Sequence, residues 1–173
     1  MAVTLVVEDG TGLANANTYV SLAAASSYIS ANIHAFQTWD ALDDDDKKSL
    51  LIWSTRLLDQ RTSWRGLPTT TTQALQWPRI GATDRNGESV SQVVVPQPVR
   101  DATAELARYL MTVDRTLERD QDGLSKIHVD VIEIDFNRSY RLPEIPMQIS
   151  YMLTGLGAIA SGNGSTFAKI RRV

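Results

Sequence analysis

"QALQWPRIGATDRNG", residues 73–87, places a tryptophan, a proline and an arginine in a segment rich in turn-forming residues. A large apolar ring in such a loop usually anchors the loop to another surface. We predict that Trp77 buries its ring against the helices before and after the loop. Pro78 then holds the chain extended at this point, and Leu75 packs alongside the ring.

A second interpretation of the same segment stays open. The stretch from Leu67 to Val95 has no predicted helix, and loops of that length are usually functional or ordered by a partner. The loop could therefore pack against a neighbouring subunit as well as against its own core. The residues of this loop anchor or inter-subunit site are Trp64, Arg65, Leu75, Trp77, Pro78 and Arg79.

Composition describes an ordinary globular chain. Its 173 residues are 43% hydrophobic and 21% charged, with a net charge of −3 and no cysteine. One domain is expected at this length, and disulfides and thiolate metal sites are excluded. The weak negative charge gives no general attraction for a polyanion. No run is long enough for a membrane span, and the N-terminal segment lacks the pattern of a signal peptide.

Hydrophobic periodicity predicts a mainly α fold. Ser21 can cap a helix from Leu22 to about Asn32, and a second amphipathic helix follows Asp43–Asp46. Pro96 and Pro98 open a third helix, and a fourth runs from about Pro143 to Thr154. We therefore expect a small bundle of about four helices with a short β-hairpin element and an extended C-terminal tail. The predicted domain covers residues 1–157 and the tail covers 158–173.

Two further segments carry weaker structural signals. Residues 127–136 alternate, with a phase slip that indicates a bulge or tight turn near Val131. Gly10, Gly12, Asn15 and Asn17 predict a shaped turn near the N-terminus, with Val6 or Val7 packed against the body.

Catalytic and metal-binding motifs are missing from the sequence. His34 and His128 do not form a metal-ligand spacing, and there is no nucleophile elbow, Walker A loop or dinucleotide motif. The run Asp43–Asp46 lacks the spacing of a calcium loop and suits a helix N-terminus, where carboxylates are favourable. We expect no enzyme activity, cofactor or metal.

Four segments, taken in order, resemble known phage proteins: "LVVEDGTGLANANTYVSLAAA" (5–25), "WRG" (64–66), "QALQWPRIGATDRNG" (73–87) and "VPQPVRDATAELA" (95–107). They resemble a tailed-phage family, encoded among the head and tail genes, that is often labelled DnaT-like single-stranded-DNA-binding. They also resemble the head-to-tail adaptor, or connector, proteins that form a ring beneath the portal. The resemblance covers most of the chain.

The adaptor resemblance implies a structural protein of the virion neck, made in the bacterial cytoplasm and acting in viral assembly and genome ejection. It implies a homo-oligomeric ring, of twelve subunits to match the portal, with the portal protein above and a tail or stopper protein below. Double-stranded DNA would pass through the lumen without specific binding, and no membrane is involved. The alternatives are single-stranded-DNA binding and another role in the neck, such as tail terminator.

Charge favours the adaptor at this point. A single-strand binder should pair a positive groove with exposed aromatic rings, whereas fixed cations in a lumen would retard DNA through phosphate contacts. Asp43, Asp44, Asp45 and Asp46 are candidates for lining that lumen.

The C-terminal tail is a candidate for docking to the portal or to a neighbouring subunit. It combines apolar side chains with a local charge of +3 in an acidic protein, and it could lie extended as an added strand. The residues of this docking site are Phe167, Lys169, Ile170, Arg171 and Arg172.

Overall fold

A computed structural model describes residues 2–117, 126–129, 132–135 and 143–160. It confirms a mainly α fold with short β elements. Five helices lie in these ranges, one more than the sequence predicted: α1 Leu22–Ser30, α2 Phe36–Asp40, α3 Asp44–Arg61, α4 Gln97–Leu110 and α5 Met147–Met152.

The helix starts follow local chemistry. The Ser21 hydroxyl accepts a hydrogen bond from Ala24 N at 3.2 Å, which confirms the predicted cap of α1. Asp43 caps α3 by accepting from Asp46 N at 2.8 Å. Proline stands at the N-cap of both α4 and α5. Because Pro146 takes that position, α5 begins at Met147 rather than at the predicted Pro143.

Helix α2 was missed because it has only five residues and no side-chain cap. It is held by tertiary contacts instead. Trp39 is buried, and its indole N–H donates to the Ser26 hydroxyl of α1 at 3.0 Å. A short helix fixed by one buried ring leaves no periodic signal in the sequence.

Six short strands pair into three antiparallel, two-stranded sheets in the described ranges. The strands are β1 Thr62–Trp64, β2 Leu67–Pro68, β3 Arg79–Ile80, β4 Lys126–Val129, β5 Ile132–Asp135 and β6 Gly157–Ile159. The pairs are β1–β6, β2–β3 and β4–β5. Val129 of β4 pairs with Ile132 of β5; the predicted bulge or turn near Val131 itself lies outside the described residues.

The pairing of β1 with β6 joins two distant parts of the chain. Trp64 is opposite Gly157 and Thr62 is opposite Ile159. The predicted boundary between residues 157 and 158 therefore falls inside a paired strand. Residues 161–173, which make up most of the predicted tail, lie outside the described residues.

Helix α4 runs through the middle of the domain and contacts α1, α3 and α5. Its residues from Ala102 to Ala107 are all buried. Small residues let its neighbours approach closely, and Leu106 fills the core beside Leu58 of α3 and Ile149 of α5. The helices thereby form the base on which the loop that carries Trp77, Pro78 and Arg79 packs.

The N-terminal turn is built around a buried carboxylate that the sequence analysis did not single out. Glu8 Oε1 accepts hydrogen bonds from Gly10 N and Gly12 N, and Oε2 accepts from Leu13 N, each at 2.9 Å. Gly10 adopts a φ of 103°, and a Cβ there would lie 2.1 Å from Val93 O. The turn is thus fixed both by its glycines and by Glu8.

Candidate nucleic-acid interface and its buried support

Trp77 lies at the centre of the main core, with no exposed surface. Its ring meets that of Trp64 edge to face, with centroids 5.8 Å apart and planes at 87°. Leu75 is buried in the same cluster, and the Trp77–Pro78 peptide bond is cis. The loop from residue 73 to 80 is therefore tied to the domain by its own aromatic residue.

A buried hydrogen-bond chain connects this loop to α3. The Tyr19 hydroxyl donates to Asp59 Oδ1 at 2.6 Å and accepts from Trp77 N at 3.2 Å. Asp59 Oδ2 accepts from Gln76 N at 3.1 Å. Two backbone donors of the loop are thus satisfied by side chains of distant segments, as buried polar groups require.

Burial raises the pKa of Asp59 to about 6. The hydrogen bonds from Tyr19 and from Gln76 N oppose that rise because they stabilise the ionised form. Trp64 and Arg79 act in the same direction. The pKa of Tyr19 is raised in turn, first by burial and then by the Asp59 charge.

Arg79 joins the two ends of the loop. Its Nε donates to Arg65 O at 2.8 Å, its Nη2 to Gly66 O at 2.7 Å and its Nη1 to Gln76 O at 2.9 Å. The side chain is 5% exposed, so the guanidinium is used within the fold and cannot contact a partner. Its planar set of donors suits this role better than a lysine would.

Gly66 completes the support. It adopts a φ of 74°, and a Cβ at this position would lie 2.3 Å from Ile80 O. The close approach allows β2 to pair with β3, with Leu67 opposite Ile80. Arg79 and Gly66 together fix the backbone that presents Arg65 to solvent.

Three exposed arginines lie beside the segment that runs from α5 to β6. Arg65 N donates to Leu156 O at 2.9 Å, and the guanidinium of Arg85 donates to Tyr151 O at 2.5 Å. Arg61 O accepts from Ala160 N at 2.8 Å. We call Arg61, Arg65 and Arg85 the α5–β6 arginines.

An exposed aromatic ring accompanies these cations. Tyr151 of α5 is 62% exposed, and its own carbonyl holds Arg85. Glu144 is the acidic residue that opposes this charge directly, through a 2.6 Å ion pair with Arg61. Arg65 and Arg85 make no ion pair within the described ranges. The chain is acidic as a whole, yet this border combines free cations with a ring that a base can stack on.

The structure brings the predicted loop-anchor residues together and places the predicted aspartates elsewhere, at the start of α3. Trp64, Leu75, Trp77, Pro78 and Arg79 are buried, and Arg65 is exposed. Asp43–Asp46 form the first turn of α3 and its cap, and Asp45 pairs with Lys48 at 3.0 Å. The docking residues Phe167, Lys169, Ile170, Arg171 and Arg172 lie outside the described residues.

Sequence reasoning overlooked Tyr19, Asp59 and Tyr151. The first two stand in apolar-rich stretches and show their role only when the fold brings them to Gln76 and Trp77. Tyr151 carried a usable signal, since a tyrosine on the polar side of an amphipathic helix is expected to be exposed.

Two absences concern the described part of the chain. It contains no group of three or more His, Cys, Asp or Glu side chains able to hold a metal ion. It also contains no helix that is long and apolar enough to cross a membrane.

The geometry defines a mainly helical domain. In this domain a buried hydrogen-bond chain supports a border lined by the α5–β6 arginines. A family model described as "Putative DnaT-like ssDNA binding protein" matches residues 3–173. The chain belongs to this family. No curated protein and no solved structure matches it significantly.

Proposed function

We propose that this protein binds single-stranded DNA along the α5–β6 arginines and Tyr151. Family membership supports binding of this kind. The observation that carries the proposal is the juxtaposition of exposed Arg65 and Arg85 with an exposed tyrosine on one segment. Cations track the phosphates while the ring stacks on a base, which is how single strands are held without sequence readout.

The expected salt dependence follows from the number of cations. Arg61 is already paired with Glu144, so Arg65 and Arg85 are the cations counted here. If each neutralises one phosphate, the logarithm of the binding constant falls with a slope of about −1.4 against the logarithm of salt concentration. Raising salt from about 50 to about 200 mM then weakens binding by about sevenfold. Stacking on Tyr151 contributes about 1–3 kcal/mol for one base.

Fluorescence anisotropy with a labelled oligothymidine tests the site. The triple variant Arg61→Ala, Arg65→Ala, Arg85→Ala should lose most of the affinity and flatten the salt slope. A matched variant, Arg56→Ala with Arg100→Ala, removes two exposed arginines from α3 and α4 and should bind like the unmodified protein. Equal losses in both variants would refute the assigned surface, and no binding by the unmodified protein would refute the function.

A second candidate is the head-to-tail adaptor ring, and one surface favours it. Leu67 and Ile80 are opposite each other in the β2–β3 pair and both are exposed, Leu67 at 72%. Val93 and Val94 are also exposed, and the preceding carbonyl, Gln92 O, accepts from the Thr69 hydroxyl at 3.2 Å. Exposed apolar side chains grouped on neighbouring segments are typical of a subunit contact.

Under this second candidate the β2–β3 patch closes a ring of identical subunits in the virion neck, between the portal protein and the tail. The ring acts by assembly rather than catalysis and lets double-stranded DNA pass. Negative-stain microscopy and sedimentation of the purified protein, alone and with isolated portals, test this role. Rings that disappear in the variant Leu67→Glu, Ile80→Glu would support the adaptor. A protein that stays monomeric and does not bind isolated portals would exclude the adaptor role.

A further inference from the structure

An apolar groove lies between the first half of α3 and the end of α4. It has a volume of about 380 Å³ and is lined by Leu42, Asp46, Ser49, Leu50, Trp53, Leu110 and Met111. Volumes of roughly 300–1,000 Å³ are those in which proteins hold ligands. We name this feature the α3–α4 groove.

Trp53 gives the groove its character. It is 39% exposed, whereas Trp39, Trp64 and Trp77 are at most 9% exposed. Asp46, Ser49, Leu50 and Trp53 form one helical stripe of α3, because they are spaced three and four residues apart. The stripe therefore changes from apolar at Trp53 to acidic at Asp46 as it approaches the start of the helix.

We propose that the C-terminal segment of the same chain, residues 165–173, docks in the α3–α4 groove. This segment carries Phe167 and Ile170 for the apolar part and Lys169, Arg171 and Arg172 for the acidic end. Residues 43–48 contain four aspartates and two lysines, a net charge of −2. The segment and the groove are thus complementary in both apolar surface and charge.

Chain geometry agrees with this pairing. The described chain reaches Ala160 beside Arg61, at the end of α3. From Arg61 the helix leads back about 12 Å to Trp53 and about 22 Å to Asp46. An extended chain from Ala160 spans up to about 23 Å by Phe167 and about 36 Å by Arg171. The segment is therefore long enough for Phe167 to reach Trp53 and for Arg171 to reach Asp46, in the order that the groove requires.

Cysteine cross-linking of the full chain tests the proposal directly, since the protein has no cysteine of its own. Ser49→Cys places a thiol on the groove rim, and Ala168→Cys places one in the segment. The matched control pairs Ala168→Cys with Ser27→Cys, an exposed position of α1. Under mild oxidation we expect the groove pair to close within one chain at least about tenfold faster than the control pair, because docking raises the local concentration of the segment's thiol at the groove rim, whereas the control thiol is reached only by free motion of the tether.

Each outcome of the cross-linking decides the proposal. A fast disulfide within the monomer supports it. A disulfide mainly between chains would overturn it in favour of the tail of a second copy, and equal rates for both pairs would overturn it in favour of no docking.

Acrylamide quenching of tryptophan fluorescence gives an independent readout. In the full chain, Phe167→Ser with Ile170→Ser should raise the quenchable fraction by about one quarter, because Trp53 is one of four tryptophans. The added variant Trp53→Phe should abolish that rise. An unchanged quenchable fraction in the double serine variant would overturn the proposal. Neither experiment uses DNA or portal protein. The docking proposal can therefore fail or succeed independently of the proposed function.

Discussion

Replacing Trp77 with alanine measures how much the loop depends on its buried ring. Tryptophan at this position has no exposed surface, and truncating a large buried aromatic residue costs about 3–5 kcal/mol of unfolding free energy. The upper half of that range is expected here, because the edge-to-face contact with Trp64 is also lost and such a pair is worth about 0.5–1.5 kcal/mol.

The assay is urea unfolding, followed by circular dichroism, together with a thermal melt. For a domain of this size each kcal/mol lowers the melting temperature by about 2–4 °C, so a loss of about 4–5 kcal/mol in Trp77→Ala should lower it by about 8–20 °C. Trp53→Ala is the matched control, since it removes the same ring from a half-exposed position, and it should cost less than about 2 kcal/mol. If Trp77→Ala cost no more than Trp53→Ala, the reasoning from burial would be refuted.

Three further predictions concern the buried carboxylates and the glycines. Because burial raises the pKa of Asp59 to about 6, the protonated carboxyl stabilises the folded state; this contribution is complete only well below the unfolded pKa of about 4 and is lost as pH rises through 6. The unfolding free energy of the unmodified protein should therefore fall by about 2 kcal/mol relative to Asp59→Asn between pH 4 and 7, and parallel pH curves would contradict this. Glu8→Ala should lower the unfolding free energy, measured with urea, by about 2–4 kcal/mol, because it leaves three backbone donors unpaired. Asp9→Ala removes an exposed acceptor and should lower it by less than about 1 kcal/mol. Similar losses in the two variants would contradict the structural role of the buried Glu8 carboxylate. Gly66→Ala should lower the melting temperature more than Gly81→Ala does, because both glycines have positive φ but only a Cβ at Gly66 would clash with a backbone atom. The loss in Gly81→Ala, about 1–2 kcal/mol, measures the cost of placing a Cβ-bearing residue at positive φ without a clash.

The sequence predicted the elements that carry periodic or capping signals. Ser21 marks the start of α1 correctly because its side chain bonds the helix's own first turn. The run Asp43–Asp46 lies at the start of α3, but the helix begins inside the run, at Asp44, rather than after it. The mainly α class followed from such local patterns. Helix α2 did not, because Trp39 holds it through a contact with another helix rather than through its own sequence.

The buried polar chain was beyond sequence reasoning for the same physical reason. Tyr19, Asp59 and Gln76 are far apart along the chain, and their hydrogen bonds exist only once α3 and the loop are packed. Arg79 could equally have been a surface cation, and only its three backbone acceptors show that it belongs to the fold. The candidate interface was missed because overall acidity concealed a local group of arginines.

The pairing of β1 with β6 has a consequence for synthesis on the ribosome. Thr62–Trp64 leaves the ribosome long before Gly157–Ile159 exists, and at about 5–20 residues per second that interval lasts roughly 5–20 s. Throughout it, Trp64 lacks the strand opposite it and its edge offers unpaired backbone donors to other chains. The nascent protein therefore has a window in which a chaperone, or another nascent copy, can occupy the place that β6 later takes.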